Sequence, residues 1–361
     1  MSFARRKNKA AAAAGAAGVD GLLVTHLPDV RYLCGFTGSN AALVLAGGRV
    51  VLFTDGRYTE QAKAEAAGTR VVIAKKPVLP VACEWIEAQR VRRCGFDATN
   101  TTVAALESMR KAVSAKVRRR LFTPVGALVA RLREVKDADE IARLRAAAKM
   151  GCGLFDRMLE LLRPGLMEIE VAAELEYAAR LAGAEAMSFE TIVASGERSA
   201  LPHGRASNAK LPKRGFVTLD FGVVLDGYMS DMTRTVHLGK ALEGEREVYD
   251  AVLEAQQAAV AAVGPGVTAG DVDEAARSVL RRAGLDKYFT HSTGHGVGLE
   301  IHEGPRLAAK QTQVLEQGMV ITVEPGVYMP GRFGLRIEDM VLVTKTGGEV
   351  LTPRVKAWIE L

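Results

Sequence analysis

Two stretches of the chain echo one another. Pro164-Gly165, Val171 and Gly183 recur as Pro265-Gly266, Val272 and Gly284, at a constant offset of 101 residues. Each copy has a Pro-Gly turn, an acidic residue just before the valine (Glu170, Asp271) and an amphipathic helical pattern that stops at a glycine. The copies share few identities, so coincidence is the alternative, but the equal internal spacing favours a duplicated αβ unit. Two such halves facing each other create a cleft between them.

At 361 residues the chain is long enough for two domains. Leu132 to Lys149 begins highly charged and becomes helical, with Ile141, Leu144, Ala147 and Ala148 on one side. It reads as a linker entering a second domain, which sets the expected boundaries at 1–133 and 134–361. In the first part, Leu22 to Thr25, Ala41 to Leu45, Val50 to Thr54 and Val71 to Ala74 read as strands. Thr59 to Ala67 and Thr102 to Val113 read as helices, and the alternation predicts an α/β domain. Met1 to Ala17 is too alanine-rich for the apolar core of a signal peptide and reads as an ordinary helix. No apolar run is long enough to span a membrane. The net charge of +6 is dispersed and aromatics are only 6%, which argues against a nucleic-acid partner. Cys34, Cys83, Cys94 and Cys152 lack metal-finger spacing and are expected as reduced, buried thiols in a cytoplasmic protein.

The second part carries five potential metal ligands: Asp220, Asp231, His295, Glu324 and Glu338. Carboxylates and one imidazole form a hard, oxygen-rich set that suits two divalent cations with shared carboxylates. Phe216 to Val224 and Tyr228 to His237 read as strands joined through Asp226-Gly227, a strong hairpin signal. A two-residue turn there pairs Leu225 with Tyr228 and sets Gly222 opposite Asp231. Asp220 then shares a face with Asp231, and Gly222 is expected to leave room for the metal. Glu324 falls at the end of the apolar strand Met319 to Val323. Arg336 precedes Glu338 by two residues, so strand alternation puts both on one face, with the arginine balancing the carboxylate. His291, His295 and His302 cluster within twelve residues, and the glycines flanking His295 permit close approach of backbone and ligand.

Several ordered segments carry a resemblance to a known family. They are Pro202-His203-Gly204, Asp220-Phe221-Gly222, Ser230 to Thr235, Gly294 to Glu303, Glu324-Pro325-Gly326 and Arg336 to Asp339. They resemble the pita-bread metallopeptidases, specifically the aminopeptidase P and prolidase branch that acts on Xaa-Pro bonds. Tyr32 to Ser39 and Asp55-Gly56-Arg57-Tyr58 resemble the creatinase-type N-terminal domain. The resemblance implies an α/β (α+β) fold: a creatinase-like N-terminal α/β domain, then a pita-bread catalytic domain of pseudo-twofold duplicated αβ units.

It also implies roles. Asp231 and Glu338 would bridge two metals, with His295 and Glu324 completing one shell and Asp220 the other. Manganese is the expected ion, with cobalt or zinc as alternatives. A metal-bridging hydroxide would attack the scissile carbonyl, and Glu324 would move its proton. His291 and His302 would bind the oxyanion or substrate backbone, His203 would flank the proline side, and Arg336 would support the carboxylates. Arg332, in the loop Met329 to Phe333, is one candidate for the substrate carboxylate, beside an arginine from the first domain or from a dimer partner. The expected substrates are peptides with proline second, cleaved by a homodimer, in the aminopeptidase P manner. A prolidase restricted to dipeptides is the alternative, and a metal-free binding protein on the same fold is a further one.

Overall fold

The computed structural model describes residues 2–66 and 68–361. Met1 and Ala67, which end two of the expected helices, lie outside the described residues. The chain divides into two units, Met1–Arg133 and Glu134–Leu361.

The first unit alternates α1 (Phe3–Ala16), β1 (Gly21–Val24), α2 (Leu27–Cys34), β2 (Ala41–Ala46), β3 (Arg49–Asp55), α3 (Thr59–Glu65), β4 (Arg70–Ala74), α4 (Val78–Ala88), β5 (Cys94–Asp97), α5 (Val103–Lys111), β6 (Phe122–Val125) and α6 (Leu128–Glu134). Its strands form a mixed sheet in the order β4-β3-β2-β1-β5-β6. Leu23, Val44, Phe53, Ile86 and Phe96 are among the buried residues between sheet and helices, each stabilising by roughly 1.5–3 kcal/mol. The expected strands and helices are all present. Helices α2 and α4 were hidden by Pro28 and Pro80, which sit in the first helical turn, where proline removes no intrahelical bond.

In the second unit, α7 (Ala138–Leu161) and α8 (Glu168–Leu181) are matched by α9 (Glu245–Ala262) and α10 (Ala269–Arg282). Both ends of α8 and α10 keep the offset of 101 residues. The turn glycines before them, Gly165 and Gly266, share left-handed φ values of 92° and 89°. The first-turn acids Glu170 and Asp271 accept from the N-cap backbone N–H of Met167 at 2.7 Å and of Thr268 at 3.2 Å. The echo in the sequence is thus a duplicated αβ unit. Each half has its own core, one around Phe155, Val171, Leu175 and Leu219, the other around Val252, Val272, Ala276 and Ile321.

The strands of the first half are β7 (Ala186–Met187), β8 (Ile192–Ser195), β9 (Gly215–Phe221), β10 (Val223–Leu225), β11 (Tyr228–Met229) and β12 (Met232–Leu238). Those of the second are β13 (Gly294–Gly296), β14 (Glu303–Leu307), β15 (Val320–Val323), β16 (Gly326–Met329), β17 (Phe333–Arg336), β18 (Asp339–Val343) and β19 (Gly348–Val350). In the orders β12-β9-β8 and β14-β13-β15-β18-β19, β9 and β15 hold equivalent central places. The free edge of β12 is covered by the chain end. His237 N–H donates to the Ile359 carbonyl and Leu361 N–H to the His237 carbonyl, both at 2.9 Å.

The hairpin follows the register read from sequence. Asp226 and Gly227 have φ of 48° and 74°, as a type I′ turn requires. Leu225 pairs with Tyr228, and further along Phe221 pairs with Met232 and Asp220 with Thr233. The role expected for Gly222 is different. A Cβ there would lie 1.7 Å from the Ser230 carbonyl oxygen, so the missing side chain admits the neighbouring strand rather than a metal.

Candidate active site

Asp220 stands on β9 and Asp231 one residue before β12, while Glu338 immediately precedes β18 and Glu324 immediately follows β15. The duplicated scaffold therefore delivers two carboxylates from each half to one place. One oxygen from each of Asp220, Asp231 and Glu338 lies within 4.8 Å of the others, and all three residues are buried. Burial, together with the charges of Glu338, Asp220 and Glu324, pushes the Asp231 carboxyl well above its usual range. Glu338 is raised in the same way, by burial and by Glu324 and Asp220. Burial raises Glu324 to about 7. Buried acids this close repel unless a cation lies among them.

The donor set fits that cation. Asp220 Oδ1 is buried without a hydrogen-bond partner, an unmet acceptor that a metal would satisfy. The His295 Nδ1 lies 3.0 Å from the Gly296 carbonyl, which can only accept. The proton is thereby fixed on Nδ1, and the bare Nε2 faces Glu324 Oε1 at 3.4 Å and Asp231 Oδ2 at 3.7 Å. A metal-binding histidine is held in this manner. Burial lowers the His295 pKa to about 4, keeping the ring neutral and available as a ligand.

Supporting groups close around the acids. Arg336 ends β17 and pairs with Asp220, not with Glu338. The expected shared face fails because the chain changes sheets between β17 and β18. Arg336 is linked to Glu338 by Thr233, whose hydroxyl lies 3.0 Å from Arg336 Nε and donates to Glu338 Oε2 at 2.7 Å. Tyr328 hydroxyl accepts from Arg336 Nη1 at 2.6 Å and lies 3.0 Å from His291 Nε2. Beneath this layer, the buried Arg234 bonds the carbonyls of Thr233 and Glu338 and pairs with Asp339 at 2.8 Å. It ties the carboxylate-bearing strands of the two halves together.

The acids line a cavity of about 700 Å³ that also exposes His203, His291 and His302. The His295 and His302 rings meet edge to face at 4.4 Å. Phe189, Ile192 and Ile301 add an apolar wall. Arg332 is not on the lining: it is exposed on the β16–β17 turn, over the Phe333 ring at 5.4 Å. A β-hairpin tip points its residues outward, which loop length alone did not reveal. The lining arginines are Arg205, Arg306 and Arg336. Arg306 pairs directly across from His295 in the β13–β14 ladder, a neighbour that no spacing in the sequence discloses. Among the described residues no helix is long and apolar enough to cross a membrane.

Residues 142–345 match the model of metallopeptidase family M24, and residues 6–135 match the creatinase/prolidase N-terminal domain. The chain belongs to metallopeptidase family M24. It is a metal-dependent peptidase. It is 40% identical to an uncharacterized peptidase of Bacillus subtilis, over 96% of this chain and 97% of that protein. An Xaa-Pro dipeptidase from Bacillus anthracis superposes with a TM-score of 0.96 at 39% identity, covering 100% of both chains. An X-Pro aminopeptidase from Thermotoga maritima gives 0.88 at 34% identity, covering 97% of this chain and 100% of that one. This M24 peptidase thus has the pita-bread and creatinase-type architecture that its motifs resemble.

Proposed function

We propose that this M24 peptidase is an Xaa-Pro exopeptidase, loaded with two divalent cations of which manganese is the preferred one, and that its substrates are dipeptides. The observation that carries the dipeptide reading is Arg306. It lines an acidic cavity, stands across from His295, and has no carboxylate partner among the described residues. Arg205, by contrast, is engaged with Glu190 at 2.8 Å. An unpaired guanidinium near the cluster suits a carboxylate one residue beyond the scissile bond, bound bidentately. In a dipeptide that group is the proline carboxylate.

In this reading residues 134–361 carry the chemistry. Asp220, Asp231, His295, Glu324 and Glu338 would together hold the cations. When bound, the cations polarise the scissile carbonyl and acidify water. Glu324 would take the proton from the attacking water and pass it to the departing proline nitrogen. That nitrogen belongs to a tertiary amide with no N–H, so recognition rests on the apolar wall and the charged ends of the substrate. His291 and His302 face the reacting carbonyl, and His203 the ring. Arg336, through Asp220 and Thr233, keeps the carboxylates oriented.

The alternative, an aminopeptidase P acting on longer peptides, is favoured by the Tyr32 to Ser39 motif and by the likeness to the Thermotoga enzyme. Manganese-loaded protein assayed on Xaa-Pro, Xaa-Pro-Xaa and a proline-second pentapeptide separates them. Cleavage of the dipeptide alone, with KM raised at least about tenfold in Arg306→Ala, supports the dipeptidase. Equal cleavage of the longer peptides assigns the aminopeptidase, and a wild type that takes up no manganese and cleaves none of the three would favour a binding role.

A further inference from the structure

Glu168 lies in the first turn of α8 and is completely buried. An acid at a helix start benefits from the dipole while remaining in water. Burying it is costly unless its oxygens are fully hydrogen-bonded. Here they are, and among the described residues the partners sit at the two ends of one loop. Oε1 accepts from Ser195 N–H at 2.8 Å and from the Ser195 hydroxyl at 2.9 Å. Oε2 accepts from Arg198 Nε at 3.0 Å, Ser207 N–H at 3.2 Å and the Ser207 hydroxyl at 2.7 Å. Arg198 extends the tie by donating Nη2 to the Arg205 carbonyl at 2.8 Å.

The loop closed in this way, residues 196–206, carries Pro202 and His203 to the cavity. Its other side is held by Arg336, which donates Nη1 to the Pro202 carbonyl at 3.1 Å. The exposed His203 ring makes no hydrogen bond of its own among the described residues. The backbone that carries it therefore sets where the ring enters the cavity. The second half repeats the device. Asp273, buried in α10, accepts from Thr293 N–H at 3.1 Å, the Thr293 hydroxyl at 2.8 Å and Arg277 Nε at 2.7 Å. Arg277 then donates to the carbonyls of Phe289 and His291 at 3.3 and 2.5 Å. In each half a buried helix acid and an arginine clamp the loop that bears a cavity histidine.

We propose that Glu168 is a positioning residue that acts through His203, fixing how that ring meets the substrate while leaving the metal cluster untouched. The inference rests on the Xaa-Pro peptidase reading, and its test separates the two. In metal-loaded enzyme, Glu168→Gln places an amide N–H₂ against donors. KM for an Xaa-Pro dipeptide is expected to rise about tenfold, with kcat within about twofold and metal content unchanged, the pattern of a contact made equally in ground and transition state. In a His203→Ala background the same substitution should add less than about twofold, because its effect passes through the missing ring. A tenfold rise in both backgrounds, or a loss of metal, overturns the proposal. Where Glu168→Gln does not fold, Ser207→Ala removes one hydroxyl donor and should give a smaller KM rise that also disappears without His203. An inactive wild type would sink the peptidase reading alone. The ¹H–¹⁵N resonances of the His203 ring then decide: they shift in Glu168→Gln if the clamp sets the ring, and unchanged resonances overturn it.

Discussion

Asp220 and Asp231 come from one continuous hairpin, whereas His295, Glu324 and Glu338 come from three strands of the other half. In the first half a two-residue turn fixes which side chains share a face, so the placement of both acids is a local property. In the second half β13, β15 and β18 meet only because the core around Val272 and Ile321 forms. One cluster thus depends on register on one side and on tertiary packing on the other.

The severest way to break that comparison is to insert one residue between Asp226 and Gly227. If register governs, the insertion turns Asp220 and Asp231 to opposite faces. Metal content by elemental analysis should then collapse, with activity falling by more than the roughly hundredfold typical of losing a supporting group. Retained metal would mean that the insertion is absorbed as a bulge and that packing rules both halves. Next comes Arg234→Met, which removes the tie between the halves and leaves Asp339 with Lys356 at 2.6 Å and Gln256 at 2.9 Å. Breaking a buried pair should cost about 3–5 kcal/mol, read from the urea midpoint of the metal-free protein. A loss below about 1 kcal/mol would show that the two halves hold together without it.

A smaller effect concerns protons. Glu324, in the second half, keeps its proton up to about 7 without metal, so below that pH cation and proton compete. Affinity should climb with pH by about tenfold per unit toward 7 on account of this group, then level off. Glu324→Gln should lower the slope of a calorimetric titration series by one proton, and an unchanged slope would assign the competition to Asp231 and Glu338. The smallest effect is Arg332→Ala, on an exposed turn: stability within about 0.5 kcal/mol and an unchanged KM for the dipeptide. A clear KM rise would return this residue to the substrate.

The same contrast explains what the sequence discloses. The echo between 164–183 and 265–284, the hairpin register and the acids at strand ends follow from local rules, and the fold carries them all. The partner of Arg336 does not, because strand alternation cannot be carried through a change of sheet. Arg306 was hidden for a related reason: the irregular stretch between His295 and Glu303 conceals which residue will stand opposite the imidazole. The metal space expected at Gly222 is taken by the Ser230 carbonyl instead, since a missing side chain does not say what fills its place. Proline in a first helical turn masked α2 and α4.

The cover that Ile359 to Leu361 places on β12 has a consequence for how the protein behaves before it does any chemistry. A sheet edge with unpaired N–H and C=O groups is a template for another chain. Here the final residues occupy that template, in parallel pairing at His237 and Glu360. Because these residues lie far beyond β12 in the chain, β12 must wait with its edge open until they are made. Shortening the tail by a few residues would make that exposure permanent, and self-association would be its first sign.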